Sequence, residues 1–152
     1  MTTPEERLSE LGLTLPSVVP PLAAYVPALR SGSYVYTSGQ LPARDGEMVA
    51  VGKVGGDVTP EQGYECARQC ALNALAAVSA EIGDLSAIKR VVKVTVFVAS
   101  ATDFTGQPKV ANGASELLGE VFGDAGRHTR SAVGVAVLPL DVPVEVELVV
   151  EV

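Results

Sequence analysis

The chain has 152 residues, of which 47% are apolar and 19% charged, with no tryptophan and a net charge of −7. This length predicts a single domain over residues 1–152, and the shortage of charge suggests that some apolar surface is buried against other copies of the chain. The negative charge argues against a nucleic-acid partner. The sequence has no run of 18 apolar residues that would span a membrane, and its polar, acidic N-terminus is unlike a signal peptide, so we expect a cytoplasmic protein.

The first third of the chain predicts a short helix, a connector and several strands. Thr3 and Pro4 have the character of an N-cap and a first helical residue, and Gly12 ends that helix. Residues 13–21 are rich in proline and form an extended connector. Strands are expected over 23–29, 34–41 and 48–51, separated by turns at 31–32 and 44–47.

The remainder predicts two long helices packed on a sheet. Thr59, Pro60 and Gln62 form an N-cap, a first position and a capping-box residue, so a helix should run from 60 to 82 and stop at Gly83. A second helix is expected over 108–122, with strands over 88–98, from 128 onward and over 144–152. This order indicates an α+β domain whose mixed sheet is covered on one face by two helices. Association with other copies would cover the second face.

Few residue clusters in this sequence are typical of catalysis. There is one histidine, and the two cysteines, Cys66 and Cys70, lie four apart on the first long helix, where we expect them to be buried and free. These residues do not supply a set of metal ligands at workable spacing, and no glycine-rich phosphate loop or nucleophile elbow occurs. His128 with Ser38 and an unidentified acid remains a formal possibility for a triad.

Arg130 stands out because a guanidinium within a Val/Ala strand needs an anionic partner. The partner could be Glu145 or Glu147 of the last strand, or the carboxylate of a ligand. His128, Arg130 and Ala132 share one strand face by alternation. His128 could equally be a packed or surface residue, and the glutamates of the last strand could form a solvated face.

Three segments of the chain resemble the RidA family (YjgF, reactive intermediate deaminase, L-PSP endoribonuclease-like proteins). They are 36–42 (Tyr-Thr-Ser-Gly-Gln-Leu-Pro), 91–98 (Val-Val-Lys-Val-Thr-Val-Phe-Val), and 129–133 (Thr-Arg-Ser-Ala-Val) with the Leu138-Pro139 turn and the Pro-Val-Glu-Val-Glu strand at 143–147. The resemblance implies a chorismate mutase-like α+β fold, a homotrimer with small-molecule clefts between subunits, and hydrolytic deamination of 2-imino or enamine acids such as 2-iminobutanoate and 2-iminopropanoate. It implies no metal and no cofactor.

The resemblance also assigns residues. Arg130 matches the arginine that binds the substrate carboxylate, and Glu145 matches the acid that holds or activates water. The residues expected to line the cleft are Tyr25, Ser38, Gly39, Asn112, His128 and Ala132.

Three features depart from the short members of the family. Ala132 stands where a cysteine is common, although its backbone N–H could still bind a carboxylate oxygen. Residues 1–21 form an N-terminal extension, and His128 lies beside Arg130. These departures indicate a divergent subgroup, so a non-catalytic trimer that binds a small carboxylic acid remains an alternative, as does, with less support, an endoribonuclease.

Overall fold

The computed structural model describes residues 2–18 and 24–152. Within these residues there are three α-helices, seven strands and three short 3-10 helices. In chain order the α-helices and strands are α1 (Pro4–Glu10), β1 (Ala28–Ser31), β2 (Tyr34–Thr37), β3 (Ala43–Arg44), β4 (Glu47–Met48), α2 (Pro60–Ile82), β5 (Arg90–Ala99), α3 (Gln107–Phe122), β6 (Thr129–Val135) and β7 (Val144–Glu151).

Helices α1 and α2 begin as the sequence predicts. Each has a complete capping box, in which the threonine hydroxyl accepts from the third helical N–H and the third side chain accepts from the threonine N–H. Such a cap contributes about 1 kcal/mol. Helix α2 ends at Gly83, whose φ of 91° favours glycine. Both predicted ends of the long helix are therefore confirmed.

Five strands form one sheet in the order β1-β2-β7-β5-β6, and β3 and β4 form a separate hairpin. Strands β5 and β6 are parallel, whereas the other pairs are antiparallel, so the sheet is mixed as predicted. The strand that carries Arg130, β6, lies at one edge of the sheet.

The main core lies between the sheet and helices α2 and α3, which confirms that two helices cover one face. Every second residue of β7, starting with Val144, is buried there, in the predicted alternation. The two helices pack so closely that a Cβ at Gly113 would overlap the carbonyl group of Tyr64. Across their outer side Tyr64 donates a hydrogen bond to Glu116, and Arg68 forms an ion pair with Glu120.

We call the other side of the sheet the open face, and define it by the β7 residues Glu145 and Glu147 and their neighbours on adjacent strands. Tyr36 and Val133 lie on this face and are 45% and 43% exposed. A groove of about 230 Å³ crosses it, lined in part by Tyr36, Lys93 and Glu147. A small apolar cluster, made of Ala99, Leu138 and Val142 and their neighbours, covers only one end of the face.

The predicted short strands differ from those observed. The first strand occupies Ala28–Ser31 rather than 23–29; residue 23 and the end of the Pro-rich connector, 19–21, lie outside the described residues. Strand β2 stops at Thr37 rather than 41, and pairing with β7 resumes only at Gln40, which forms an isolated bridge with Val146. The strand expected at 48–51 is observed at Glu47–Met48. It forms a two-residue hairpin with Ala43–Arg44 around Asp45 and Gly46, both at positive φ.

Cys66 and Cys70 are free and buried, as predicted. Burial raises the pKa of the Cys66 thiol to about 11 and that of Cys70 well above its usual range, so both remain protonated near neutral pH. No helix in the described part of the chain is long and apolar enough to cross a membrane. Residues 2–18 and 24–152 contain no group of three or more potential metal ligands.

Candidate functional site

Arg130 lies on the helix-covered side of the sheet, where edge strand β6 packs against α3. Its Nη1 donates to Asn112 Oδ1 at 2.8 Å and to Ser115 Oγ at 3.1 Å, and its Nη2 lies 3.4 Å from the Pro108 carbonyl oxygen. All three acceptors are neutral. The structure therefore brings together Arg130 and Asn112, two of the residues that the family resemblance assigns to the cleft.

No described carboxylate lies within 4 Å of Arg130, so the expected alternative of a structural ion pair with Glu145 or Glu147 is wrong. Strand register explains why. Arg130 and Leu148 both pair with Val94, whereas Glu145 pairs with Phe97, three residues further along β5. Residues three apart on a strand point to opposite faces, so Arg130 and Glu145 lie on opposite sides of the sheet.

His128 contacts Ser115 rather than Ser38, so the formal triad with Ser38 is also wrong. His128 Nε2 lies 2.9 Å from Ser115 Oγ, and Nδ1 lies 2.6 Å from the carbonyl oxygen of Gly126. Sequence reasoning missed Ser115, although a signal existed: it follows Asn112 by three positions and therefore shares its helix face. His128 also lines an open cleft of about 840 Å³ at the start of β6.

Glu145 is half-buried on the open face, against the backbone of Gly39. A Cβ at Gly39 would overlap the Glu145 carboxylate, so only glycine permits this close approach. Burial, with a smaller contribution from the nearby negative charge of Glu147, raises the pKa of Glu145 above its usual value. The alternative of a fully solvated row of glutamates is therefore wrong for this residue.

Ser38 connects the segment that carries Tyr25 to Gly39 and Glu145. Ser38 directly precedes Gly39, donates its hydroxyl to the Val26 carbonyl at 2.6 Å, and donates its backbone N–H to the Pro27 carbonyl at 2.8 Å. These bonds hold the segment that carries Tyr25, a residue that is 52% exposed. Tyr25, Ser38, Gly39 and Glu145 therefore belong to one neighbourhood.

Ala132 follows Arg130 on β6 and is partly buried against the main core. Its methyl group therefore faces the helices, on the same side as Arg130 and His128, as strand alternation predicts. The residues assigned to the cleft thus form two groups in one chain. We call them the arginine group (Asn112, His128, Arg130 and Ala132, with Ser115) and the glutamate group (Tyr25, Ser38, Gly39 and Glu145).

Comparison with known proteins identifies the class of protein. Residues 5–152 match the family described as "YjgF/chorismate mutase-like, putative endoribonuclease", and the chain belongs to this family. It has the family's chorismate mutase-like fold, a mixed sheet with helices packed on it.

Three similar proteins show how far the resemblance extends in sequence and structure. Protein TCP17 of Trypanosoma cruzi is 46% identical over 146 residues, covering 95% of this chain and 91% of that protein. A solved structure from Shewanella oneidensis MR-1, named as a "putative endoribonuclease", superposes with a TM-score of 0.96 at 39% identity and 99% coverage of both chains. TdcF of Escherichia coli, solved with bound serine, has a TM-score of 0.64 at 28% identity, with 89% of this chain and 93% of that chain covered.

Proposed function

We propose that this chain is a hydrolytic deaminase of reactive 2-imino and enamine acids, of the 2-iminobutanoate and 2-iminopropanoate type. It would act in the cytoplasm as a homotrimer, without metal or cofactor. The observation that carries the proposal is the state of Arg130. A partly buried guanidinium that is held only by neutral oxygens keeps its full charge available for an anionic ligand.

Arg130 is suited to a carboxylate. A guanidinium binds a carboxylate through two parallel N–H donors, which fixes the plane of the ligand as well as its position. The serine bound to TdcF is a small amino acid with such a carboxylate, which supports the same class of ligand here. Once the carboxylate is clamped, the adjacent imine carbon has a defined position.

Glu145 would act on the water. Its ionised carboxylate accepts a proton while the water oxygen adds to the imine carbon; the carbon–nitrogen bond then breaks and nitrogen leaves as ammonia with the transferred protons. The products are a 2-oxo acid and ammonia. The raised pKa of Glu145 makes it a stronger base than an ordinary glutamate once it is ionised.

Because the arginine and glutamate groups lie on opposite faces of one sheet, a ligand that contacts both needs two copies of the chain. The open face carries exposed Tyr36 and Val133 beside charged Lys93 and Glu147, a surface suited to burial against another copy. We therefore place each site between subunits, with Arg130 from one protomer and Glu145 from its neighbour.

The test is imine hydrolysis. An amino-acid oxidase generates a panel of 2-imino acids, semicarbazide traps free imine, and the protein competes with the trap. We expect wild type to reduce trapping, whereas Arg130→Ala and Glu145→Gln do not. Arg7→Ala, which removes an arginine from helix α1, is the matched control and should behave as wild type. Wild-type turnover that persists in Arg130→Ala would contradict the proposal.

Two outcomes would favour the other candidates. Binding of a small carboxylate that depends on Arg130, with no turnover of any imine in the panel, would identify a binding module, a role that Ala132 in place of a reactive thiol permits. RNA cleavage that co-purifies with the protein and disappears in the Arg130 variant would support the endoribonuclease named for its relatives. The net charge of −7 argues against that activity.

A further inference from the structure

The arginine group contains a continuous chain of hydrogen bonds whose proton positions can be assigned. A carbonyl oxygen only accepts, so His128 Nδ1 carries the hydrogen that is donated to Gly126. In the neutral ring Nε2 is then an acceptor, and the Ser115 hydroxyl donates to it. The lone pairs of Ser115 Oγ are left for Arg130 Nη1.

This arrangement uses both hydrogens of Nη1, one on Asn112 and one on Ser115. Nη2 has one long contact, with the Pro108 carbonyl oxygen, and Nε donates to no acceptor in the part of the chain that the structure describes. The guanidinium is therefore held at one end, and its Nε–Nη2 edge is the edge that remains for a ligand.

We propose that Ser115 and His128 are positioning residues that lock Arg130 so that its Nε–Nη2 edge receives the substrate carboxylate side-on. The proposal rests on the proposed function, since it defines how the carboxylate of that substrate is bound. Neither residue touches the ligand. Ser115 orients the guanidinium, and His128 orients Ser115.

His128 matters through its acceptor atom rather than its bulk. A Ser115 hydroxyl without that acceptor can rotate its hydrogen toward Nη1, where a donor faces a donor and the bond to Arg130 is lost. Gln and Leu have similar volumes, but only Gln offers an oxygen that can accept from Ser115. Comparing these two replacements therefore separates the hydrogen bond from packing.

The closing experiment measures Arg130 directly. In ¹⁵N relaxation of the ligand-free protein, the Nε–H of Arg130 should have a high order parameter in wild type. We expect Ser115→Ala and His128→Leu to lower it toward the value of an exposed arginine, whereas Ser115→Thr and His128→Gln retain it. This readout needs no substrate and no turnover.

Affinity gives the second readout. The stable ligand 2-oxobutanoate is titrated by calorimetry, and Ser115→Ala and His128→Leu should each weaken its Kd about five- to tenfold, the usual effect of losing one neutral hydrogen bond. In the imine assay the same two variants should raise KM by that factor and leave kcat within about twofold, since the interaction is equal in ground and transition states. Ser115→Thr and His128→Gln should restore both values.

The outcomes distinguish the two proposals. An ordered Arg130 in both Ser115→Ala and His128→Leu, or equal behaviour of the Gln and Leu variants, overturns the positioning role while leaving imine hydrolysis intact. Absence of turnover in wild type, with the predicted order parameters and Kd changes observed, overturns the deaminase and retains the clamp. Absence of 2-oxobutanoate binding by wild type overturns the side-on carboxylate site itself.

Discussion

The two faces of the central sheet differ in how far their side chains are buried. On the covered face, Val94, Val146 and Leu148 are at most 1% exposed beneath α2 and α3. On the open face, Tyr36 of β2, Lys93 of β5 and Val133 of β6 lie beside two half-buried glutamates of β7. The sheet therefore has a closed core on one side and a partly exposed surface on the other.

The functional residues divide in the same way. The arginine group lies at the edge of the covered face, where side chains of α3 form hydrogen bonds with Arg130 and His128. The glutamate group lies on the open face, where Glu145 rests on the backbone of Gly39. Under the proposed function, this difference means that one chain contains two halves of a site and needs a second copy to complete it.

Mixing two inactive variants tests most directly whether the arginine and glutamate groups of one site come from different copies of the chain. Alone, Arg130→Ala and Glu145→Gln should each lower kcat/KM by at least about 100-fold, because one loses the carboxylate clamp and the other the base. When they are coexpressed and assemble at random, a site that draws Arg130 from one copy and Glu145 from the next is intact in about a quarter of cases. Imine hydrolysis by the purified mixture should recover to that level. A mixture no more active than its parents would mean that both groups come from one copy.

Substitutions on the two faces should have different consequences for stability and assembly. Val94→Ala opens a cavity in the main core and should lower the free energy of unfolding by about 2 kcal/mol, measured by urea denaturation.

Val133→Asp places a charge on the open face, where it is solvated in a lone chain but desolvated between copies. We expect it to retain the far-UV spectrum and to shift the light-scattering mass to a smaller species. Unchanged mass in Val133→Asp would show that this part of the open face is not an interface.

Gly39→Ala sharpens the comparison inside the glutamate group. The added Cβ would overlap the Glu145 carboxylate and displace it, so kcat/KM should fall about tenfold. Binding of 2-oxobutanoate through Arg130 should change little. Gly119→Ala is the matched control, since a Cβ there meets nothing within 4 Å and a helical Ala is favoured over Gly. Equal activity losses in both variants would contradict the role of Gly39.

The smallest effect concerns pH. The pKa of Glu145 is raised above the ordinary value of 4.5 in the folded chain, so the folded state binds more protons than the unfolded state between those two pKa values. Stability is therefore lost as pH rises through that window. Glu145→Gln should raise Tm by on the order of 1 °C at pH 7, a small value because half-exposed charges are screened, and the gain should vanish below pH 4.5. A gain that persists at pH 4 would point to a cause other than ionisation.

The helices and the last strand could be predicted from the sequence because their signals are local. Thr59, Pro60 and Gln62 determine the start of α2, and the strict alternation after Val144 determines which residues of β7 are buried. The short strands β1 and β4 could not be placed from the sequence, because nothing local distinguishes a two- to four-residue pairing from a bend. Their positions depend on the partner strand.

The site was only half predictable for a related reason. Alternation places His128, Arg130 and Ala132 on one face of β6, and Glu145 with Glu147 on one face of β7. Whether those two faces coincide depends on the register through β5, which pairs Val94 with Arg130 and Phe97 with Glu145. Register is a tertiary property, so the sequence left the ion pair and the ligand site equally open.

Helix α1 depends on a contact with a distant part of the chain. With seven residues it is too short to persist alone, and it is held by buried Leu8 and by Glu5, whose carboxylate accepts the N–H of Leu85 at 2.8 Å across 80 positions. Because Leu85 lies in the turn that follows α2, we expect residues 4–10 to dock only after that turn has formed. A change at Glu5 should therefore affect the docking of α1 rather than the assembly of the sheet.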